Sequence, residues 1–181
     1  MTGAEHEPSA DPACETARGR GPETTEPAPM VVAVFASPVA VDLLAFARRL
    51  GWRTALLEPD ASRSAGHGAD AERVATDAAG LGLEGADVVV TDHDRPEIGT
   101  VLRAALAAGA RWVGVMGNPR HQGPHVEAMR ALGADDAEIA RVHRPIGLDI
   151  GSRRPPEIAL STLAGLVADR AGRSGGFLDP R

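Results

Sequence analysis

The chain is predicted to be an α/β protein built on a doubly wound, mostly parallel, Rossmann-like sheet with helices on both faces. Three observations point there. Strand-length apolar runs recur four times, apolar residues at helical spacing fill the stretches between them, and glycines close several of those stretches. The apolar runs are continuous rather than alternating, as expected of strands whose two faces are both covered. Strands alternating with helices give right-handed βαβ crossovers, hence a parallel sheet.

The first run is Val31-Val32-Ala33-Val34-Phe35. It is followed by a helical stripe of Val39, Leu43, Ala47 and Leu50, with Gly51 as the stop. Thr54-Ala55-Leu56-Leu57 is the second strand. Residues 61–86 are rich in Gly, Ala and Asp, and one short helix near Asp70 to Ala79 is expected there. Val88-Val89-Val90 is the third strand, followed by a stripe of Ile98, Val101, Leu102, Ala105 and Leu106 that ends at Gly109. Trp112-Val113-Gly114-Val115-Met116 is the fourth. Val126, Met129 and Leu132 then make a helix closed by Gly133, and Ile158, Thr162, Leu163 and Leu166 make the last. No repeat of 20–50 residues is visible.

Residues 30–172 therefore form the folded domain. Residues 1–29 hold five of the 14 prolines, and their six acids against two arginines account for −4 of the net charge of −6. Such a segment cannot bury enough surface to offset its ordering entropy, so a disordered acidic tail is expected. Residues 173–181 read as a second, flexible tail.

Composition removes whole reaction classes. All 19 basic residues are arginine, and the chain has neither lysine nor tyrosine. A GxxxxGK phosphate loop, a Schiff base and a tyrosine–lysine proton relay are thereby excluded. Cys14 is the only cysteine, which leaves no disulfide framework, Cys₄ zinc site or CxxC redox pair. No apolar stretch reaches the roughly 18 residues of a membrane span. The N-terminus shows no basic segment followed by an apolar one, so the cytoplasm is the expected location. The negative charge and the lack of a dense basic stripe argue against nucleic-acid binding.

In an open α/β sheet, ligands bind beyond the carboxyl ends of the strands, at the switch point. Four segments should reach that rim. Ala36-Ser37-Pro38-Val39-Ala40 lacks the glycines of a dinucleotide loop, and Ser37 with Pro38 also reads as an ordinary helix start. Glu58, after the second strand, stands where an acid can accept from a ribose hydroxyl, or simply face solvent. Thr91-Asp92-His93-Asp94 gathers three titratable groups, with His93 able to donate to a phosphate or to be oriented by a carboxylate. The fourth segment runs from Arg144-Pro145-Ile146-Gly147-Leu148-Asp149-Ile150-Gly151 through Ser152-Arg153-Arg154-Pro155 into the last helix. Its glycines can turn backbone N–H groups toward an anion, the helix terminus adds its dipole, and Arg153 and Arg154 can fork onto a phosphate. A tight turn with solvated arginines is the plainer alternative. His121 and His125 are four apart, but Gly123-Pro124 intervenes and no third ligand has matched spacing, so no metal is expected.

The run Pro145-Ile146-Gly147-Leu148-Asp149-Ile150-Gly151, with Pro155 and Glu157-Ile158-Ala159-Leu160-Ser161 after it, closely resembles the C-terminal Rossmann-type domain of the xanthine dehydrogenase accessory proteins (the XdhC/CoxI family). Leu50-Gly51-Trp52-Arg53, Val88-Val89-Val90 with His93-Asp94, and Val113-Gly114-Val115-Met116-Gly117-Asn118 are similar to that family's other motifs in the same order. The resemblance covers about residues 31–172. It implies an accessory protein without turnover of its own. Such a protein binds the molybdenum cofactor (molybdopterin), protects it during sulfuration, and hands it to a molybdenum hydroxylase subunit. A sulfurating desulfurase is a second implied partner, and a homodimer is compatible. His93, Asp94, Gly117, Gly147, Asp149 and Gly151 carry over by motif; Ser37, Glu58, Asn118, Arg120 and Arg153 complete the candidate set. The chain departs from the family in its glycine-free first loop, in Gly117-Asn118-Pro119-Arg120 where the family has GSRR, and in Arg154 where it caps the last helix with threonine. Two other readings stand beside this one: an NAD(P)-binding oxidoreductase-like domain, and a Rossmann scaffold acting only through protein–protein contacts.

Overall fold

The computed structural model describes residues 27–117 and 123–177. The expectations for the acidic tail through residue 26, for Cys14, and for Asn118, Arg120 and His121 fall outside the described residues. Six strands make one parallel sheet: β1 (Met30–Val34), β2 (Arg53–Leu57), β3 (Arg73–Ala75), β4 (Asp87–Val90), β5 (Trp112–Val115) and β6 (Val142–His143). Their spatial order is β3-β2-β1-β4-β5-β6, with every neighbouring pair parallel. This is the doubly wound order in which the winding reverses between β1 and β4.

Helices α1 (Pro38–Arg49) and α5 (Pro155–Arg170) cover one face. On the other lie α2 (Ile98–Ala107) and α3 (Pro124–Ala131), with the single-turn α4 (Asp136–Ile139) leading into β6. The two-residue period of β1 divides the core. Val31 and Ala33 pack under Leu43, Leu44, Ala47, Leu163 and Leu166, whereas Val32 and Val34 pack with Leu102, Ala105 and Met129. Both faces of the strand are closed, which is why its sequence shows no polar alternation.

Two short strands escape sequence patterning. The helix expected at residues 70–79 does not form. Arg73–Ala75 instead pairs with Ala55–Leu57 as an edge strand, and the link to β4 is a turn that seats Leu81 and Leu83 in the α2-side core. Aliphatic anchors on a loop thus do the covering that a helix was expected to do. Leu50 and Leu132 also differ from expectation. Each is the C-cap of its helix, just before a glycine at positive φ (Gly51 at 75°, Gly133 at 85°), and the chain reversal turns both toward solvent.

At Gly99, α2 lies close against α3, because a Cβ there would lie 2.8 Å from the backbone carbonyl of Ala128. Gly99→Leu is expected to push the helices apart and lower stability by about 1–3 kcal/mol. Urea unfolding of the two proteins measures this, and an unchanged midpoint would show that the helices can separate freely.

Candidate functional site

The rim of the sheet begins at an unusual residue. Phe35 follows β1 with φ at 69°, a left-handed conformation that costs a bulky side chain about 1–2 kcal/mol. It is held there by burial, by an N–H···O bond of 2.9 Å to Leu57, and by the Arg95 guanidinium 4.7 Å from its ring centre. The next residue, Ala36, donates its N–H to Glu58 Oε2 at 2.8 Å. Glu58 is fully buried and also accepts from both terminal nitrogens of Arg95 (3.2 and 3.0 Å) and from the N–H of Asp60 at 3.0 Å. Arg95 reaches further, to Glu97 Oε1 at 3.3 Å. Burial alone would raise the Glu58 carboxyl, but the bonds from Arg95, Ala36 and Asp60 outweigh it and hold the group below its ordinary range.

This arrangement corrects the expectation of a ribose-binding acid, since no face of Glu58 is open to a ligand. Ser37 is likewise turned inward. Its Oγ caps α1 by accepting from the Ala40 N–H at 3.0 Å and donates to Thr91 Oγ1 at 2.8 Å. Thr91 in turn donates to the β1 exit, within reach of the carbonyls of Val34 and Phe35. The first loop is therefore bonded to its own scaffold, and the donors that a dinucleotide pyrophosphate would need from Ala36 and Ala40 are occupied.

Room for a ligand lies beside this loop, at the switch point. A cavity of about 670 Å³ opens beyond β4 and β5, lined by Val39, Thr91, His93, Met116, Gly117, Ser161, Ile158 and residues 145–149, 151 and 152. His93, Gly117, Gly147, Asp149 and Gly151 are thus brought together across segments up to 58 residues apart in sequence. Asp94 does not line the cavity. Its carboxylate is mostly exposed and stands 3.6 Å from His93 Nε2. Gly117 backs onto Arg144, whose Cζ lies 2.8 Å from where a Cβ would be.

The wall formed by residues 147–151 is set by close packing on α5. Gly147 has φ at 87°, and a Cβ on it would come within 2.8 Å of Ser161 Oγ. Leu148 donates its N–H to the carbonyl of Ser161 at 3.1 Å, and a Cβ on Gly165 would meet Gly147 Cα at 3.6 Å, an ordinary contact. The loop therefore needs glycine at 147, both for its positive φ and for the close approach to Ser161. Asp87 secures the far end of α5. It is fully buried at the start of β4 and accepts from Arg111 and Arg170, each at 2.7 Å.

The expected anion cradle at the start of α5 is corrected in the same way as Glu58. Glu157 Oε2 accepts from the backbone N–H of Arg153 and of Arg154, both at 3.1 Å, and Oε1 takes Arg154 Nε at 2.7 Å. Pro155 and Pro156 supply no N–H. The bond from Arg154, with those backbone bonds, holds the Glu157 carboxyl down to about 2. The helix end thus carries its own anion. Arg154 is paired there, and Arg153 is exposed and does not line the cavity. Among the described residues no group of three His, Cys, Asp or Glu side chains could hold a metal. His125 is buried, with burial and the neighbouring Arg144 charge lowering its pKa. Sequence reasoning gave no site role to Thr91, Met116 or Ser161 in the cavity, or to Arg95 and Glu157, which bond to the scaffold. Glu157 had a legible signal, an acid three residues after the cap position.

The XdhC Rossmann domain model matches residues 31–166. The uncharacterized protein YqeB of Escherichia coli is 28% identical over 91 residues, which are 50% of this chain and 16% of that protein. A Bacillus halodurans crystal structure described as a xanthine dehydrogenase shares the fold with a TM-score of 0.63 at 21% identity, covering 81% of this chain and 46% of that one. The chain thus spans less than half the length of either relative. Among the described residues no helix is long and apolar enough to cross a membrane.

Removing Arg95 leaves a buried, unpaired carboxylate, so Arg95→Met is expected to cost about 3–5 kcal/mol in urea unfolding, with much of the loss recovered by Arg95→Met combined with Glu58→Leu. A Glu58 pKa held below its ordinary 4.5 adds stability that is complete above that value and fades as the pH falls through the folded-state value. The wild type should therefore lose stability on acidification below that point more steeply than Glu58→Gln does. Parallel acid limbs in the two proteins would contradict the assignment.

Proposed function

The chain belongs to the XdhC Rossmann domain family, and on that premise we propose that it serves the maturation of a xanthine dehydrogenase-like molybdenum hydroxylase by holding the molybdenum cofactor for transfer. The observation that carries the proposal is the cavity at the switch point. Its volume of about 670 Å³ lies within the ordinary range for small-ligand sites of roughly 300–1,000 Å³. Its lining has the usual composition of such sites, with aliphatic walls from Met116, Ile146, Leu148 and Ile158 and a few polar groups at Thr91, His93, Asp149, Ser152 and Ser161. A flat pterin is compatible with those walls, and the glycines at 117, 147 and 151 leave backbone exposed along them.

The chemistry of the lining supports holding rather than turnover. The hydroxyls of Thr91 and Ser161 are donated to backbone carbonyls, Ser161 to Ile158 at 3.0 Å, so neither proton is directed at His93. The chain's own residues would bind, orient and shield the cargo. A molybdenum hydroxylase subunit would receive it, a desulfurase would act while it is held, and the setting would be cytoplasmic. The inward-bonded first loop gives no support to the NAD(P) reading.

Gel filtration of the protein mixed with molybdenum cofactor, read by molybdenum content and by the fluorescence of the oxidised pterin, tests the proposal. The wild type is expected to co-elute with both. Gly151 lines the cavity and has no atom within 4 Å of a Cβ position, so Gly151→Trp should crowd the site and lose both signals; its φ of 69° costs a side chain about 1–2 kcal/mol, so the melt should move down but stay cooperative. Wild-type protein that elutes free of cofactor would refute the proposal.

A further inference from the structure

A second cavity, of about 240 Å³, lies between α2 and the exits of β2 and β3, and shares no lining residue with the one at the switch point. Leu57, Pro59, Val101 and Ala104 give it apolar walls, and Asp77 and Glu97 are its titratable lining groups. An apolar cavity of about 150 Å³ holds benzene, so this space has room for one ring carrying a short chain. Its charge is one-sided, since among the described lining residues none is basic. Glu97 accepts from Arg95 through Oε1 at 3.3 Å, while its Oε2 is buried with no hydrogen-bond partner. Arg95 also gives both terminal nitrogens to Glu58, so two carboxylates share one guanidinium and one negative charge is left over within this group. Asp77 adds another carboxylate, whose Oδ1 accepts from the Gly80 N–H at 3.0 Å. Arg73, on β3, donates to the carbonyls of Gly80 and Leu81.

We infer that this space is a second binding site, independent of the cofactor cavity, for a small organic cation: a primary ammonium on a short chain that carries one apolar ring. The ring is buried against Leu57, Val101 and Ala104. The ammonium answers the charge left over on Glu97 and Asp77 with charge-assisted hydrogen bonds, which are about twice as strong as neutral ones. A neutral alcohol of the same shape keeps the apolar contacts and loses that term. A carboxylate of the same shape adds like charge to a lining that already carries two acids, and is rejected.

Amide chemical-shift titrations of the full ¹⁵N-labelled chain with 2-phenylethylamine, 2-phenylethanol and phenylacetate at neutral pH test the inference. The wild type is expected to bind the amine about ten- to a hundredfold more tightly than the alcohol, and to show no saturable binding of phenylacetate. Amides of residues 76–78 and 100–104 should shift with the amine, and those of residues 147–152 should not. Glu97→Gln keeps an oxygen for Arg95 and should bring the amine down to the affinity of the alcohol. Ala104→Leu extends a side chain from the wall into the space and should lose amine and alcohol alike. A cooperative thermal melt establishes that each variant is folded, and Thr100→Phe, at an exposed position of the same wall, gives the same reading should Ala104→Leu fail to fold. No binding of the amine by the wild type, equal affinity for amine and alcohol, saturable phenylacetate binding at the same amides, shifts centred on residues 147–152, or amine binding unchanged in Glu97→Gln or in the filled variant overturns the inference.

Discussion

The buried pair of Glu58 and Arg95 ties together the three strand exits on which the rim of the sheet depends. Glu58 belongs to the exit of β2, Arg95 to the exit of β4, and the Ala36 N–H that Glu58 accepts belongs to the exit of β1. Desolvating two charges is costly, and such a pair persists only when further hydrogen bonds complete it. Here Ala36 and Asp60 bond to the carboxylate, Glu97 bonds to the guanidinium, and Phe35 lies beneath that guanidinium in a conformation it would not adopt alone. The acid that other doubly wound sheets offer to a ribose is spent on the protein itself.

That constraint moves the usable space sideways. With the first loop bonded inward, the open cavity lies at the β4 and β5 exits and beside the glycine loop ahead of α5. The loop is only as well placed as the helix, and α5 is held at both ends of the sheet. Along its middle, Ser161 to Gly165, it packs against Gly147 and Leu148, and at its end Arg170 bonds to the buried Asp87 while stacking 5.2 Å over Trp52. Polar groups that look free in the sequence are thus occupied in maintaining the wall, and the cavity keeps a sparse set of open ones.

The doubly wound architecture was legible because its four inner strands are continuous branched runs and because Gly51, Gly109 and Gly133 take the positive φ that ends helices. The edge strands were not legible, since Arg73–Ala75 and Val142–His143 are three and two residues long and carry no pattern of their own. Of the residues that the family resemblance carries over, His93, Gly117, Gly147, Asp149 and Gly151 line one cavity, because the exits of β4 and β5 and the loop ahead of α5 meet there. Glu58 and the arginines at the start of α5 were assigned ligand roles because a sequence shows a charge but not its partner. Arg95 lies 37 residues from Glu58, and only the sheet brings them together. Glu157 lay close enough in sequence to be recognised as the anion that Arg154 already holds.

The proposed ligand site is the cavity walled by the α5 loop rather than the backbone of Ala36 and Ser37. Amide chemical-shift mapping on ¹⁵N-labelled protein during addition of molybdenum cofactor tests it most directly. The account predicts that His93, Gly117 and residues 147–152 shift together with ligand concentration while Ala36 and Ser37 stay fixed. Shifts centred on residues 36–40, with residues 147–152 unmoved, would contradict it.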